Sequence, residues 1–355
     1  MKPVSATVAL ALLVVGLLVG GVAGYVVRTP STPSASTADS TLSITAAGTL
    51  STLFPKVGNA LVNTTPGVSA PLAAQQYQGS LAALSEVSSL HEPFDIAAAA
   101  DYRLIPSLLE PTYASFEVVF ATTPEVLVYD PSVTAFNGVN STNWPTALTS
   151  SGVVLGVANQ STDPNGYNGI FALELEGVVL GEGTGGLYGH FFTTPAGGLA
   201  EPNPTTTRVE PETQVAALIH GHEVSAFITY RSYAISQGLS YVNLDPRVGL
   251  GETDAADLAF YANASTSILS SSGGLELVHG APVLFAATVP STAPNPTLGA
   301  EFLEFLLAPA GSALVSAAGF TPISPAYSDE PSSDLPSLVA PLTAPMPSAL
   351  AALLP

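Results

Sequence analysis

The chain has 355 residues, only 10% of them charged, and Asp plus Glu outnumber Lys plus Arg by 27 to 7. A formal net charge of -20 leaves little to neutralise phosphates or anionic lipid, which excludes nucleic-acid binding and a basic membrane-surface patch. Cysteine is absent, which removes disulfides, thiolate zinc sites, iron–sulfur clusters and cysteine nucleophiles, while 47% hydrophobic residues suffice for a large core in two domains or a two-lobed body.

From Val4 to Val27 run 24 residues without a charge, preceded by Lys2 and followed by Arg28. As a helix this run is roughly 36 Å long, enough to cross a bilayer. It exceeds the roughly 7–15 apolar residues of a secretory signal, so an uncleaved anchor is favoured over a cleaved signal. Ala23-Gly24 keeps the cleaved alternative open. Thr29 to Ser40 is rich in Thr, Ser and Pro and reads as an extended stalk, which would put the globular part outside the cell. Asn63, Asn140, Asn159 and Asn263 open glycosylation sequons, a weak sign in the same direction.

Beyond the stalk, short apolar runs alternate with helical patterns, which predicts an α/β fold. Strands are predicted at Leu42–Ala46, Phe94–Ala98, Val153–Val157, Ala226–Tyr230 and Val283–Val289. Val118–Tyr129 is a long β-rich stretch interrupted at Thr122-Thr123-Pro124. Helices are predicted from Ala47-Gly48-Thr49 to about Asn63, over Tyr102–Leu109 with Asp101 as N-cap, and over Tyr167–Leu175, Gln214–Ile219 and Leu298–Leu307. The Pro-rich stretch after about Tyr327 has no clear periodicity.

Four helix starts carry groups suited to an anion. Gly48-Thr49 and Gly79-Ser80 each pair a glycine, which admits close backbone approach, with a hydroxyl at the start of an apolar helical run. Asp163-Pro164-Asn165-Gly166-Tyr167 places Asp at an N-cap and Pro at the first helical position, and Pro211-Glu212-Thr213 puts a carboxylate in a first turn. Singly, each is explained by ordinary capping.

Taken in order, these motifs resemble the solute-binding proteins of archaeal-type tungstate/molybdate ABC importers. Ala47-Gly48-Thr49-Leu50 resembles the family's first oxyanion loop, with Thr49 where Ser is usual, and Gly79-Ser80 the second. Phe94-Asp95-Ile96, Ala100-Asp101-Tyr102-Arg103-Leu104-Ile105-Pro106, Pro111-Thr112-Tyr113-Ala114 and Asn143-Trp144 follow. The Asp163–Tyr167 motif matches with Asn165 where cysteine is common, and Pro211-Glu212-Thr213, Tyr230-Arg231-Ser232-Tyr233-Ala234 and Glu301–Leu307 complete the series. The resemblance spans about Leu42 to Pro325. It lapses between Gly177 and Arg208 and in Gly221–Ala226, which lacks the acidic residue and tyrosine usual there.

The resemblance implies a two-lobed, periplasmic-binding-protein-like (type II) fold with hinge strands, following the N-terminal transmembrane or signal segment. Residues 1–28 are assigned to the anchor or signal peptide, 29–41 to the stalk, 42–122 and 286–327 to the first lobe, 123–285 to the second, and 328–355 to a Pro-rich tail. The crossings are expected at Val118–Tyr129 and Val283–Val289. The implied ligand set is Thr49 and Ser80 as donors to an oxyanion, Tyr230 as a further donor, and Asp163 and Glu212 as carboxylates that reach the Mo or W centre. Carboxylates repel sulfate or phosphate, whereas molybdenum and tungsten can expand from four to six oxygen ligands. The implied function is capture of molybdate or tungstate for ABC permease subunits by a monomer tethered outside the cell membrane, or secreted if cleaved, with no cofactor and no catalysis. Two alternatives stand: a receptor for another ligand such as sulfate, phosphate or a metal cation, and a stalked surface structural module. His220-Gly221-His222 lacks a third metal ligand and reads as a surface turn at a helix end, Gly181–Gly186 lacks the residues of a P-loop, and no Gly-x-Ser-x-Gly elbow occurs.

Overall fold

Apolar runs of four or five residues build two mixed sheets. The computed structural model describes residues 41–64, 72–195, 198–270 and 273–355; the expected anchor at 1–28 and all but the last residue of the stalk at 29–41 lie outside the described residues. The first sheet has seven strands in the order Thr343–Pro345, Thr321–Ser328, Val118–Thr122, Leu284–Thr288, Ile96–Ala99, Leu42–Ala47, Leu72–Gln78. The second has five: Tyr241–Asn243, Glu125–Tyr129, Ala226–Tyr230, Leu155–Val157, Thr207–Val209. Every residue of Ile96–Ala99, Leu284–Thr288 and Ala226–Tyr230 is buried. Strands covered on both faces need no polar alternation, which is why these segments read as unbroken apolar runs.

Two connections join the sheets. Val118–Thr122 lies in the first and Glu125–Tyr129 in the second, with only Thr123 and Pro124 between them. Proline has no N–H to continue a ladder, and the crossing is tied instead by Arg231 N donating to the Pro124 carbonyl and Ser232 N to Thr123 Oγ1. The return passes Val283, whose N–H donates to the Leu250 carbonyl at 2.7 Å. Leu284–Thr288 pairs only within the first sheet, so this crossing precedes Leu284, slightly upstream of the expected boundary at 285/286. The result is a two-lobed α/β body with two crossing segments.

Helices cover the sheets with one apolar stripe each. In Pro296–Leu307 the buried residues Leu298, Phe302, Leu303 and Leu306 recur at helical spacing. Phe302 meets Phe54 edge-on, with centroids 5.2 Å apart; burying each such side chain contributes about 1.5–3 kcal/mol. Among the described residues no single helix is long and apolar enough to cross a membrane.

Two local expectations are corrected. The helix expected over Tyr102–Leu109 is shorter, Leu104–Leu108, and starts after Arg103 without a side-chain cap there; Asp101 lies one turn earlier, accepting from Arg103 N at 3.0 Å as well as from its guanidinium. The segment beyond Tyr327 is ordered by packing despite its lack of period. Thr343–Pro345 pairs in parallel with Thr321–Ser328, Leu335, Val339, Met346 and Leu350 are buried, and the Tyr102 hydroxyl donates to the Leu350 carbonyl at 2.9 Å. Prolines fix the backbone where neither a helical nor a strand repeat could show.

Candidate functional site

Ligands in open α/β sheets bind beyond the carboxyl ends of parallel strands. In the first sheet Leu42–Ala47 runs parallel to Leu72–Gln78 and Ile96–Ala99; Thr49 follows the first of these and Ser80 the second. In the second sheet Leu155–Val157 runs parallel to Thr207–Val209 and Ala226–Tyr230; Asp163 and Glu212 follow the first two and Tyr230 ends the third. The two sets of strand ends face each other across one cleft.

Contacts across the cleft are direct. The Thr49 hydroxyl donates to Glu212 Oε1 at 2.8 Å. Gly48 abuts the same loop: a Cβ there would lie 2.8 Å from Thr213 Cγ2. A Cβ on Gly79 would collide with the Thr162 carbonyl, so only glycine lets the start of Ser80–Ser88 approach the loop ahead of Asp163. Ser80 is buried, and its hydroxyl oxygen accepts from Ala100 N at 2.9 Å. At the cleft edge a cavity of about 340 Å³ is lined by residues including Gln78, Gly79, Thr162, Asp163, Pro211 and Glu212.

Asp163 caps the Pro164–Val179 helix by accepting from Asn165 N at 3.0 Å, with Pro164 in the first turn. Glu212 opens a short 3-10 turn, Glu212–Gln214, ahead of the Val215–His220 helix. Tyr230 is fully buried and its hydroxyl oxygen accepts from Asn168 Nδ2 at 3.4 Å.

A third carboxylate joins these, one that sequence reasoning missed. Glu125 starts the strand after the first crossing, and that strand runs antiparallel to Ala226–Tyr230 with Glu125 opposite Tyr230. The beginning of one strand thereby lies beside the end of the other. Glu125 accepts from Asn165 Nδ2, at 3.2 Å to Oε2. The signal was present in the sequence: Glu125 is the lone charge in Glu-Val-Leu-Val-Tyr, a run otherwise suited to burial on both faces. Asn165 and Asn168, three apart on one helix face, were likewise not singled out as partners.

Among the described residues no positive side chain offsets this group. Relative exposures of Glu125, Asp163 and Glu212 are 0%, 8% and 3%. Burial pushes the Asp163 carboxyl up to about 6 against one hydrogen bond from the Asn165 amide. Burial, then the neighbouring Asp163 charge, pushes Glu212 well above the usual carboxylate range despite the Thr49 and Thr229 hydroxyls. Glu125 rises in the same way, through burial and then through Glu212 and Asp163, with Asn165 and Asn168 opposing. The Tyr230 hydroxyl is raised by burial and by all three acids. Arg231, next in sequence, lines a separate cavity of about 470 Å³ near the crossings, with Pro124, Glu252 and Tyr327. The three acids do not form a cation cage: among the described residues no group of three His, Asp or Glu is arranged to hold a metal ion.

His220, His222 and Asp95 lie outside this group. His220 ends its helix, and His222, on a left-handed backbone, pairs with Asp130 at the surface. Asp95 is buried and accepts from Ser43 N, Ser43 Oγ and Asn295 N, which ties the first sheet to the start of Pro296–Leu307.

Comparison with known proteins fits this geometry. The profile of the family described as bacterial extracellular solute-binding protein matches residues 42–321. A solute-binding protein of Methanoculleus marisnigri is 30% identical over 276 residues, covering 74% of this chain and 77% of that one. The molybdate/tungstate-binding protein WtpA of Pyrococcus abyssi is 30% identical over 245 residues, covering 66% of this chain and 70% of its own. Among solved structures, the periplasmic molybdate-binding protein of Azotobacter vinelandii superposes with a TM-score of 0.55 over 79% of this chain and 98% of that one. At 12% identity that likeness concerns the fold alone.

Proposed function

The chain belongs to the family of bacterial extracellular solute-binding proteins, the solute-capturing components of ABC transporters, and on that premise we propose that it binds molybdate or tungstate in the cleft and presents it to permease subunits. The observation that carries the proposal is the pairing, in one buried cleft, of Asp163 and Glu212 with the hydroxyls of Thr49 and Ser80. Hydroxyls and the amides at the start of Ser80–Ser88 suit the oxygens of an anion. Carboxylates do not, unless the central atom accepts them as ligands. Molybdenum and tungsten can add two oxygens to four; sulfur and phosphorus in their oxyanions do not. In this role Asp163 and Glu212 reach the central atom, while Thr49, Ser80 and Tyr230 contact the oxo groups. Thr49 donates to Glu212 in the structure, so the entering anion would take over that hydrogen bond. Glu125, held by Asn165, would stay protonated beside the ligand and serve as one more donor. The apolar run at 1–28 would hold this receptor at the outer face of the cell membrane.

A thermal-shift panel on the full-length protein tests the proposal, since a ligand specific to the folded state raises apparent stability with the logarithm of its excess over Kd. Molybdate and tungstate are expected to shift the melt far more than sulfate or phosphate. In the Asp163→Ala/Glu212→Ala double variant, molybdate affinity should fall by roughly a thousandfold, on the order of 4 kcal/mol, and sulfate affinity should not fall. Equal shifts with sulfate and molybdate would favour a general oxyanion receptor. Absence of a shift with every oxyanion would favour a structural module.

A further inference from the structure

A second contact crosses between the lobes one helical turn from the cleft. The Tyr167 hydroxyl, on the second-lobe helix that Asp163 caps, donates to Asp101 Oδ2 of the first lobe at 2.7 Å. Arg103 grips the same carboxylate through Nε and Nη2, the latter at 2.7 Å, and donates through Nη1 to the His279 carbonyl at 3.1 Å. His279 ends the hairpin Ser265–Leu269/Leu275–His279, which is bound to the second lobe by Gln160 Nε2 donating to the Ser267 carbonyl and Ser265 N donating to Glu174. Two second-lobe elements therefore hold one first-lobe ion pair. None of these groups belongs to the proposed ligand set.

The cluster is wired to both halves of the cleft. Ala100, immediately before Asp101, donates its N–H to Ser80. Tyr167 follows Asp163 by one turn on a shared helix. When the lobes separate, Tyr167 and His279 leave while Arg103 and Asp101 stay paired within their own lobe, so opening breaks two hydrogen bonds and strands no charge.

We infer that Tyr167, Asp101 and Arg103 form a latch that favours the closed arrangement of the lobes whichever oxyanion is bound. They are positioning residues: they set how often the cleft is closed, and the ligand set decides what it closes on. A latch of this kind shifts affinity for all ligands by one common factor, because it changes only the population of the closed state. The inference rests on the proposed oxyanion site for its affinity readout, but its structural readout is independent of ligand.

The test uses the full-length chain carrying Tyr167→Phe, which deletes one hydroxyl and retains the ring packed on Phe171 at 5.7 Å. Because the protein has no cysteine, Ser89→Cys in the first lobe and Ser151→Cys in the second, both at exposed positions, give two unique spin-label sites. Double electron–electron resonance without ligand should show a larger share of the longer interlobe distance in Tyr167→Phe than in its parent. Titration with sodium molybdate and sodium sulfate should show both affinities lower by the same factor, roughly tenfold, with their ratio unchanged. An unchanged distance distribution, or a changed molybdate-to-sulfate ratio, would overturn the latch. If the parent protein binds no oxyanion, the proposed function fails, and the distance measurement still decides the latch.

Discussion

The helix Pro164–Val179 presents two acidic clusters, one turn apart, that are opposite in kind. Around Tyr167, burial alone would raise the Asp101 carboxyl; the Arg103 guanidinium and the Tyr167 hydroxyl override it and hold the group below the usual carboxylate range. Around Asp163, three buried acids have only amides and hydroxyls for company, and all are pushed up. The first cluster is complete as it stands and functions as a strut. The second is a set of acceptors and hydroxyls with no cation, an arrangement that lowers stability unless a ligand compensates it. Burial is the same in both; the counter-charge distinguishes structure from site.

Substitutions at the two clusters should therefore have opposite signs. The largest effect is expected for Asp101→Asn, which leaves the Arg103 guanidinium largely buried without its counter-ion; urea denaturation should show a loss of about 3 kcal/mol or more. Glu125→Gln should do the reverse. At pH 8 without ligand, the neutral isostere relieves a buried acid of its proton demand and should raise stability, read as a higher urea midpoint than the parent's. If both substitutions destabilise equally, the contrast between strut and site is wrong.

A third effect is a pH dependence spread over several groups. Asp163 moves from 3.8 to about 6, and Glu110, Glu174 and Glu176 move from 4.5 to about 7. Between the lower and upper values the folded chain retains protons that the unfolded chain has released, so the contribution of these four groups falls as pH rises through this window and levels off above about 7. Asp101 and Asp130 are shifted down, and their contribution is lost only in stronger acid, below the ordinary value of 3.8. Thermal melts should give a higher Tm at pH 5 than at pH 8. A Tm that instead drops on acidification across that range would show that charge pairing, rather than buried protonated acids, dominates.

Sequence alone carried much of the frame because the strands are short apolar runs and their helix starts are marked by Gly, Ser, Thr, Asp and Pro. Thr49, Ser80, Asp163, Glu212 and Tyr230 are far apart in the chain, and they surround one cleft because each ends or follows a parallel strand. Glu125 escaped notice because it begins a strand, and its place in the cleft follows only from antiparallel pairing with Ala226–Tyr230. Leu72–Gln78 escaped because Leu-Ala-Ala-Gln-Gln-Tyr-Gln looks polar, as an edge strand can be. Asp101 was legible as a backbone acceptor near a helix start, and it does accept from Arg103 N; its ion pair with the Arg103 guanidinium was not legible. Leu335, Val339, Met346 and Leu350 are four, seven and four residues apart, but Pro336, Pro341, Pro345 and Pro347 among them rule out the helix that spacing suggests, so the tail did not read as packed.

Gly79 against the Thr162 carbonyl has a kinetic consequence. With backbone meeting backbone at that edge, and Thr49, Ser80, Glu212 and Tyr230 all screened from solvent, an anion bound as proposed would leave chiefly by parting of the lobes. Its residence time would then be set by the opening rate of the hinge rather than by the strength of any one bond to it. A bulkier residue at position 79 would act as a wedge, shortening that dwell while leaving every ligand-facing side chain in place.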